Sequence, residues 1–287
     1  MVSRLELYKS CVKILTEHNI DDAEFDAMCI FQQAFGEKIP LSKPNETADS
    51  SHINNVHNAV ERRCNGEPLQ YVLGEWDFWK YTFKVGGGVL IPRPDTETLI
   101  QNVLDICEKN ALSSPKILDL CSGSGCIAVT LDKEIPQSAV YAVEKFGAAF
   151  EYLKENIKLN DSDVTAVMAD VLLPENAVKF KDFDIIVSNP PYLTQKDMTE
   201  LQTEVRKEPS SALYGGTDGL DYYEKMTPIW RDSLKTGGFL CYEFGMGQEN
   251  AVGKILLENG FENLSFARDG GGIIRTVTAE KSEEYHG

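Results

Sequence analysis

The sequence predicts an α/β chain in which a small all-helical N-terminal domain precedes a mostly parallel, doubly wound sheet covered by helices on both faces. Three observations predict it. Apolar residues recur at helical spacing from Leu5 to about Cys64; beyond Pro92 short β-branched runs alternate with helical stretches; and the first of those runs leads into a glycine turn, Cys121-Ser122-Gly123-Ser124-Gly125. At 287 residues, 42% hydrophobic and 25% charged, the chain has the length and apolar content for one core domain and one accessory domain.

In the N-terminal part the apolar positions are Leu5, Tyr8, Val12 and Leu15, then Phe25, Met28, Cys29, Phe31 and Phe35, then Ile53, Val56 and Val60. Breaks fall at Asn19-Ile20-Asp21-Asp22, where Asp21 or Asp22 caps the next helix, and between Ile39 and Pro44. A bundle of three or more helices fits this pattern. From Gly74 to Val89 the character turns aromatic and β-prone (Trp76, Phe78, Trp79, Tyr81, Phe83, Val85), as a hairpin requires. The expected division is therefore 1–73 helical, 74–92 hairpin linker and 93–287 catalytic. Strands are expected at Lys116–Leu120, Ala139–Val143, Val164–Met168, Asp184–Ser188, Gly238–Tyr242, Phe261–Ala267 and Ile274–Thr278, the last pair including an antiparallel edge strand.

Seven scattered cysteines, none spaced Cys-x-x-Cys, argue against a disulfide framework and a zinc site; reduced, mostly buried thiols and no bound metal are expected. No apolar run reaches membrane-spanning length, and the first residues lack the apolar stretch of a signal peptide, so the cytoplasm is the expected location. A net charge of −17 disfavours a bare polyanion as partner, because phosphate-backbone binding is driven by lysine and arginine.

The run Ile117–Leu120 into Cys121–Gly125 is a buried strand, a glycine turn and a helix start, a place where backbone closely approaches a ligand at a strand's carboxyl end. The next strand ends at Glu144, an acceptor for both hydroxyls of a ribose. NAD fits that much as well as S-adenosylmethionine does. Two features separate them: Ala128 stands where the dinucleotide fingerprint wants a third glycine, and Asp119 repels a diphosphate but suits a cationic amino-acid moiety. The plain alternative for Asp119 is a helix or loop cap. Asp170, after the third strand, accepts an adenine amino group or is an ordinary turn aspartate.

The fourth strand delivers Asn189-Pro190-Pro191-Tyr192 to the same edge. An amide nitrogen is a poor nucleophile because its lone pair is delocalised, so a catalyst must fix it in line with the methyl donor. The Asn189 side-chain oxygen and the Pro190 carbonyl each accept one N–H of a planar NH2, making these two the catalytic candidates. Proline freezes φ and adds no competing donor, and Tyr192 offers a face for stacking. The nitrogen becomes acidic only once methylated, so no general base is assigned. The bland alternative is a strand ending in a rigid Pro-Pro turn with Tyr192 merely packing.

In these residues the chain resembles the protein-(glutamine-N5) methyltransferases of peptide chain release factors. The resemblance covers most of the chain and extends to Gly74–Phe78, Leu90–Glu97, Arg206–Pro209, Leu213–Leu220 and Asp269–Arg275. Asn-Pro-Pro-Tyr alone is shared with DNA adenine methyltransferases. The resemblance implies a Rossmann-like class I S-adenosylmethionine-dependent methyltransferase domain, a helical N-terminal domain that docks the release factor, and methylation of the glutamine in its Gly-Gly-Gln loop. It also implies cofactor contacts from Cys121, Ser122, Gly123, Ser124, Gly125, Glu144, Asp170, Val171 and Asn189, with Asn189, Pro190, Pro191 and Tyr192 holding the glutamine. Family members often carry Gly or Thr at the positions of Cys121 and Ser122 and commonly Asp at that of Glu144, swaps that keep the small turn and the ribose acceptor. The Ile91–Glu97 loop is expected to wall the active site with Leu90 near the cofactor, Arg93 serving there or as a structural ion-pair partner; Arg93 and Glu97 stay outside the catalytic set. A monomer with no direct nucleic-acid partner is expected. The competing reading is a nucleic-acid amino methyltransferase acting on adenine N6 or guanine N2 after base flipping, disfavoured by acidity and by the absence of a basic cluster beyond Arg62-Arg63 in residues 1–75. A binding scaffold that has lost catalysis is opposed by the intact Gly123, Gly125, Glu144 and Asn189.

Overall fold

The computed structural model describes residues 2–283. They fall into two compact units: residues up to Glu75 with Gln202–Lys207, and Trp76–Leu201 with the chain from Glu208 on. The first unit holds α1 (Arg4–Glu17), α2 (Ala23–Phe35), α3 (Ser50–Cys64) and the short α4 (Leu69–Leu73). Its helix starts are locally encoded. Ser3 and Glu6 form a capping box on α1, the Asp22 side chain accepts the Phe25 N–H at α2, and Asp49 caps α3. Leu7, Leu15, Ile30, Phe31 and Val56 make an apolar interior. One charge is buried beside it: Arg63 donates to Asp26 at 2.5 Å and to Glu204 at 2.6 Å. Glu204 explains why Gln202–Lys207 joins this unit, since a buried guanidinium without partners costs several kcal/mol.

The second unit opens at Trp76, within β1 (Glu75–Phe78) of a hairpin with β2 (Tyr81–Lys84), and continues through α5 (Glu97–Lys109), β3 (Lys116–Leu120), α6 (Cys126–Glu134), β4 (Ala139–Glu144), α7 (Gly147–Leu159) and β5 (Thr165–Met168). It is completed by α8 (Pro174–Ala177), β6 (Phe183–Ser188), α9 (Gln195–Glu200), α10 (Asp221–Arg231), β7 (Leu234–Glu243), α11 (Glu249–Glu258), β8 (Phe261–Arg268) and β9 (Ile274–Lys281). Seven strands form one sheet in the order β5-β4-β3-β6-β7-β9-β8. The first five are mutually parallel, as expected; β9 runs antiparallel to both its neighbours, β7 and the edge strand β8, so the antiparallel strand of the last pair is the inner one and β8 at the edge points the same way as the first five. Alternate residues feed opposite faces, Ile117, Val140 and Ile185 one core and Leu118, Tyr141 and Ile186 the other. The chain leaves β3 toward β4 on one side and reaches β6 on the other, so a crevice opens at the carboxyl ends of these strands.

Two strand boundaries differ from the sequence expectation by more than one residue. β7 begins at Leu234, four residues before Gly238, because Leu234 pairs with Phe183 ahead of a register irregularity that absorbs Lys235–Gly237. β9 runs on to Lys281 because it is hydrogen-bonded on both sides, to β7 and to β8. All seven cysteines are free thiols; Cys11, Cys126 and Cys241 are buried and the other four half-buried, so burial of the thiols is less general than expected. Among the described residues no helix is long and apolar enough to cross a membrane.

Candidate active site

A cleft of about 850 Å³ lies at the crevice, lined by Cys121, Ser122, Gly123, Ser124, Glu144, Asp170, Val171, Asn189 and Pro191 among others. Nine of the sequence-selected positions thus converge. Gly125, Pro190 and Tyr192 are not in its lining: Gly125 caps α6, Pro190 is buried, and Tyr192 packs against the α10 side of the core.

The glycine turn is shaped by backbone geometry. Cys121, Gly123 and Gly125 take φ values of 61°, 54° and 80°, and Gly125 starts α6. Glu144 ties this turn to β4: its Oε2 accepts the Gly123 N–H at 2.9 Å, and its Oε1 accepts the N–H groups of Lys145 and Phe146 at 2.7 Å. A carboxylate held by three backbone donors is fixed in place, and its remaining lone pairs suit a vicinal diol. Asp170 accepts the Leu172 N–H at 3.0 Å and pairs with Lys145 at 2.7 Å. The neighbouring Val171 carbonyl accepts the Trp230 indole N–H at 2.8 Å, which anchors that wall.

Asp119, at the foot of the turn, is fully buried and neither carboxylate oxygen has a hydrogen-bond partner of good geometry. Burial raises its pKa to about 8, the Ser122 hydroxyl and the Ala128 N–H opposing the rise in part. The cap reading therefore fails, because a cap accepts a backbone N–H in good geometry. An unpaired buried acid suits a cationic group and would repel a diphosphate. These groups fit S-adenosylmethionine: an acid for its ammonium, a fixed carboxylate for its ribose and an acceptor at Asp170 for its adenine.

Asn189 leaves β6 into the cleft, and its Nδ2 donates to the Thr96 hydroxyl at 3.2 Å. The Leu213–Leu220 segment braces the turn behind it. Leu193 and Leu213 share a backbone hydrogen bond of 2.8 Å, and Gly215 lies so close that a Cβ there would sit 2.5 Å from the Pro191 carbonyl oxygen. Gly219, at φ 80°, meets the Tyr192 carbonyl in the same way, and Gln248 donates to that carbonyl at 3.1 Å. Glycine is required at both positions because any side chain would push the Pro-Pro turn out of place.

The Leu90–Arg93 stretch and Thr96 wall the cleft. Arg93 pairs with buried Glu208, which also accepts the Ile91 N–H at 3.0 Å, so the ion-pair role is the one observed. Glu97 accepts the Trp79 N–H at 2.8 Å and holds the hairpin turn. Sequence reasoning missed Tyr222, Lys145 and Phe146 in the lining, and Asn156, which is fully buried and binds Lys84 and Ser124. It also missed Glu243. Glu208 stood inside a recognised segment, whereas the others carry no local signal.

Sheet order, glycine turn, ribose carboxylate and Asn-Pro-Pro-Tyr together define a Rossmann-like, class I S-adenosylmethionine-dependent methyltransferase. The methyltransferase small domain family matches residues 95–216, and the PrmC N-terminal domain family matches residues 6–74. A release factor glutamine methyltransferase from Thermodesulfovibrio yellowstonii is 38% identical over 249 residues, covering 86% of this chain and 88% of its own. One from Fusobacterium nucleatum is 33% identical over 284 residues, covering 97% of this chain and 79% of its own. The chain belongs to the release factor glutamine methyltransferase family. Among solved structures, a methyltransferase from Pyrococcus furiosus has a TM-score of 0.52 at 19% identity, over 70% of this chain and 88% of its own, a likeness of fold.

Proposed function

We propose that the chain transfers the methyl group of S-adenosylmethionine to the side-chain amide nitrogen of the glutamine in the Gly-Gly-Gln loop of a peptide chain release factor. The observation that carries this is the Asn189 side chain, which lines the same cleft as the Glu144 carboxylate and donates its NH2 to Thr96. Its oxygen is thereby left as acceptor for a planar NH2. The bound cofactor supplies an electrophilic methyl group on a sulfonium. Cys121–Ser124, Glu144, Asp170 and Val171 would hold it, with Gly125 shaping the turn as the cap of α6 and Asp119 as the acid for its ammonium. The Asn189 oxygen and the Pro190 carbonyl hold the two amide N–H groups, orienting the nitrogen at little entropic cost during the reaction. Pro191 and Tyr192 keep that turn rigid.

The helical unit docks the release factor, and its match to the PrmC N-terminal domain family supports that role. The enzyme acts as a monomer in the cytoplasm, where release factors work, and without a nucleic-acid partner, as its net charge of −17 favours. The test is incubation with labelled S-adenosylmethionine and purified release factor, DNA or RNA. Label is expected in the release-factor glutamine; label in nucleic acid and none in protein would sink the reading in favour of a base-amino methyltransferase.

A further inference from the structure

Glu243 closes β7 with only 1% of its surface exposed, and its Oε2 is buried without a hydrogen-bond partner. In the β6–β7 register Ser188 faces Tyr242, so Asn189, the first residue beyond β6, stands beside Glu243, the last residue of β7. The Glu243 backbone is pinned, its carbonyl accepting the Tyr223 hydroxyl at 2.8 Å and its position paired with Thr276 on β9. Thr96, almost fully buried, shares this corner and accepts the Asn189 Nδ2 at 3.2 Å.

A threonine hydroxyl has one proton to give and lone pairs to receive. The Glu243 carboxyl interacts with both the Thr96 hydroxyl and the Asn189 side chain, so that proton is drawn to the carboxylate and a lone pair is left for the Asn189 N–H. An asparagine amide can turn over and exchange its oxygen with its NH2. In one orientation the oxygen meets the substrate amide; in the other, two NH2 groups confront each other. Acceptors at Thr96 and Glu243 hold the NH2 on their side and turn the oxygen to the cleft. Stability alone gives no account of Glu243, because a buried, partly unpaired carboxylate weakens a fold.

We propose that Glu243, acting through Thr96, is a positioning residue for methyl transfer, locking the Asn189 amide in the orientation that accepts a hydrogen bond from the substrate amide. This rests on the reading of Asn189 as the holder of the target nitrogen. Burial raises the Glu243 carboxyl to about 7, Thr96, Arg275 and Asn189 acting downward and Asp95 upward. Tyr192, Tyr223 and Cys126 also feel its charge. Once protonated, Glu243 becomes a donor to Thr96, and the relay loses its direction.

The test measures transfer to purified release factor across pH for wild type, Glu243→Gln, Thr96→Val, Thr96→Ser, Asn189→Ala and the double variant Asn189→Ala with Glu243→Gln. S-adenosylmethionine affinity and thermal melting are read on each. Glu243→Gln and Thr96→Val are expected to lose about 10- to 100-fold in kcat with cofactor affinity unchanged, the scale of one buried, misdirected hydrogen bond. Thr96→Ser restores the rate. The acid limb near pH 7 disappears in Glu243→Gln, and that change adds nothing to the residual rate of Asn189→Ala. Wild-type kcat with an unaltered acid limb in folded Glu243→Gln overturns the proposal, as does an additive loss in the double variant; a crippled Asn189→Ala then still leaves the glutamine-holding reading standing. Wild-type turnover in Asn189→Ala overturns both. Should Glu243→Gln not fold, equal rates for Thr96→Val and Thr96→Ser overturn the proposal.

Discussion

Asp119→Asn is expected to stabilise the cofactor-free protein near pH 8 while weakening its hold on S-adenosylmethionine. The magnitude follows from the burial of this carboxyl, whose pKa rises from 3.8 to about 8, with the Glu144 charge adding to the effect of desolvation. A rise of about four pK units at about 1.4 kcal/mol each amounts to a cost on the order of 5 kcal/mol at pH 8. Between pH 4 and pH 8 the unfolded chain has lost this proton and the folded chain has kept it. Stability from this group is therefore undiminished below about pH 4, falls as pH rises through the window, and levels off above pH 8. The asparagine variant lacks that fall. Urea unfolding followed by tryptophan fluorescence reads the relevant part of the molecule, because Trp76, Trp79 and Trp230 all lie in the second unit with Asp119. The difference between the two proteins should grow by several kcal/mol from pH 5 to pH 8. Calorimetry at pH 6.5, in buffers of different ionisation enthalpy, should show wild type releasing close to one proton as the cofactor ammonium ionises Asp119. The variant should release none and bind about 10- to 100-fold more weakly, the worth of one charge-assisted hydrogen bond. Parallel stability curves, or equal proton release, would refute the picture of a neutral acid waiting for a cation.

Two further outcomes follow from the same geometry. Glu144→Ala removes the acceptor of three backbone N–H groups as well as the ribose contact; cofactor affinity measured by calorimetry should drop at least about 100-fold, from two charge-assisted bonds of about 1.5–3 kcal/mol each, and a drop under tenfold would remove Glu144 from that role. Asn156→Ala cuts the side chain that receives the Lys84 N–H at 2.6 Å and donates to the Lys84 and Ser124 carbonyls at 3.0 and 2.9 Å. A loss of about 2–4 kcal/mol in urea unfolding is expected, together with weaker cofactor binding because Ser124 belongs to the glycine turn; unchanged affinity would show that the turn holds its shape without the hairpin.

Most of what the sequence by itself determined is local in origin. Helical periodicity, the caps at Ser3 and Asp22, and the β-branched runs each act over a few residues. Their placement could therefore be read without knowing what lies opposite. The same holds for Cys121–Gly125 and for Asn189–Tyr192, where the chemistry is carried by consecutive residues at the end of one strand. Asp119 was legible as an acid in the right place, and the lack of a backbone N–H in good geometry at its buried carboxylate then argued against a cap. Leu213–Leu220 could be recognised but not explained until Gly215 and Gly219 were seen against the backbone of the Pro-Pro turn.

Tertiary structure alone decided the rest. Glu208 reaches Ile91 across 117 positions, Glu204 reaches Arg63 across 141, and Thr96 meets Asn189 across 93. No periodicity or spacing encodes such pairs, because each depends on which loops the sheet order brings together. Glu243 is the sharpest instance: in sequence it is one acid among 45 acidic residues. It gains a role only because β6 and β7 are adjacent and in register, and because burial there turns an ordinary carboxylate into a strong, directional acceptor.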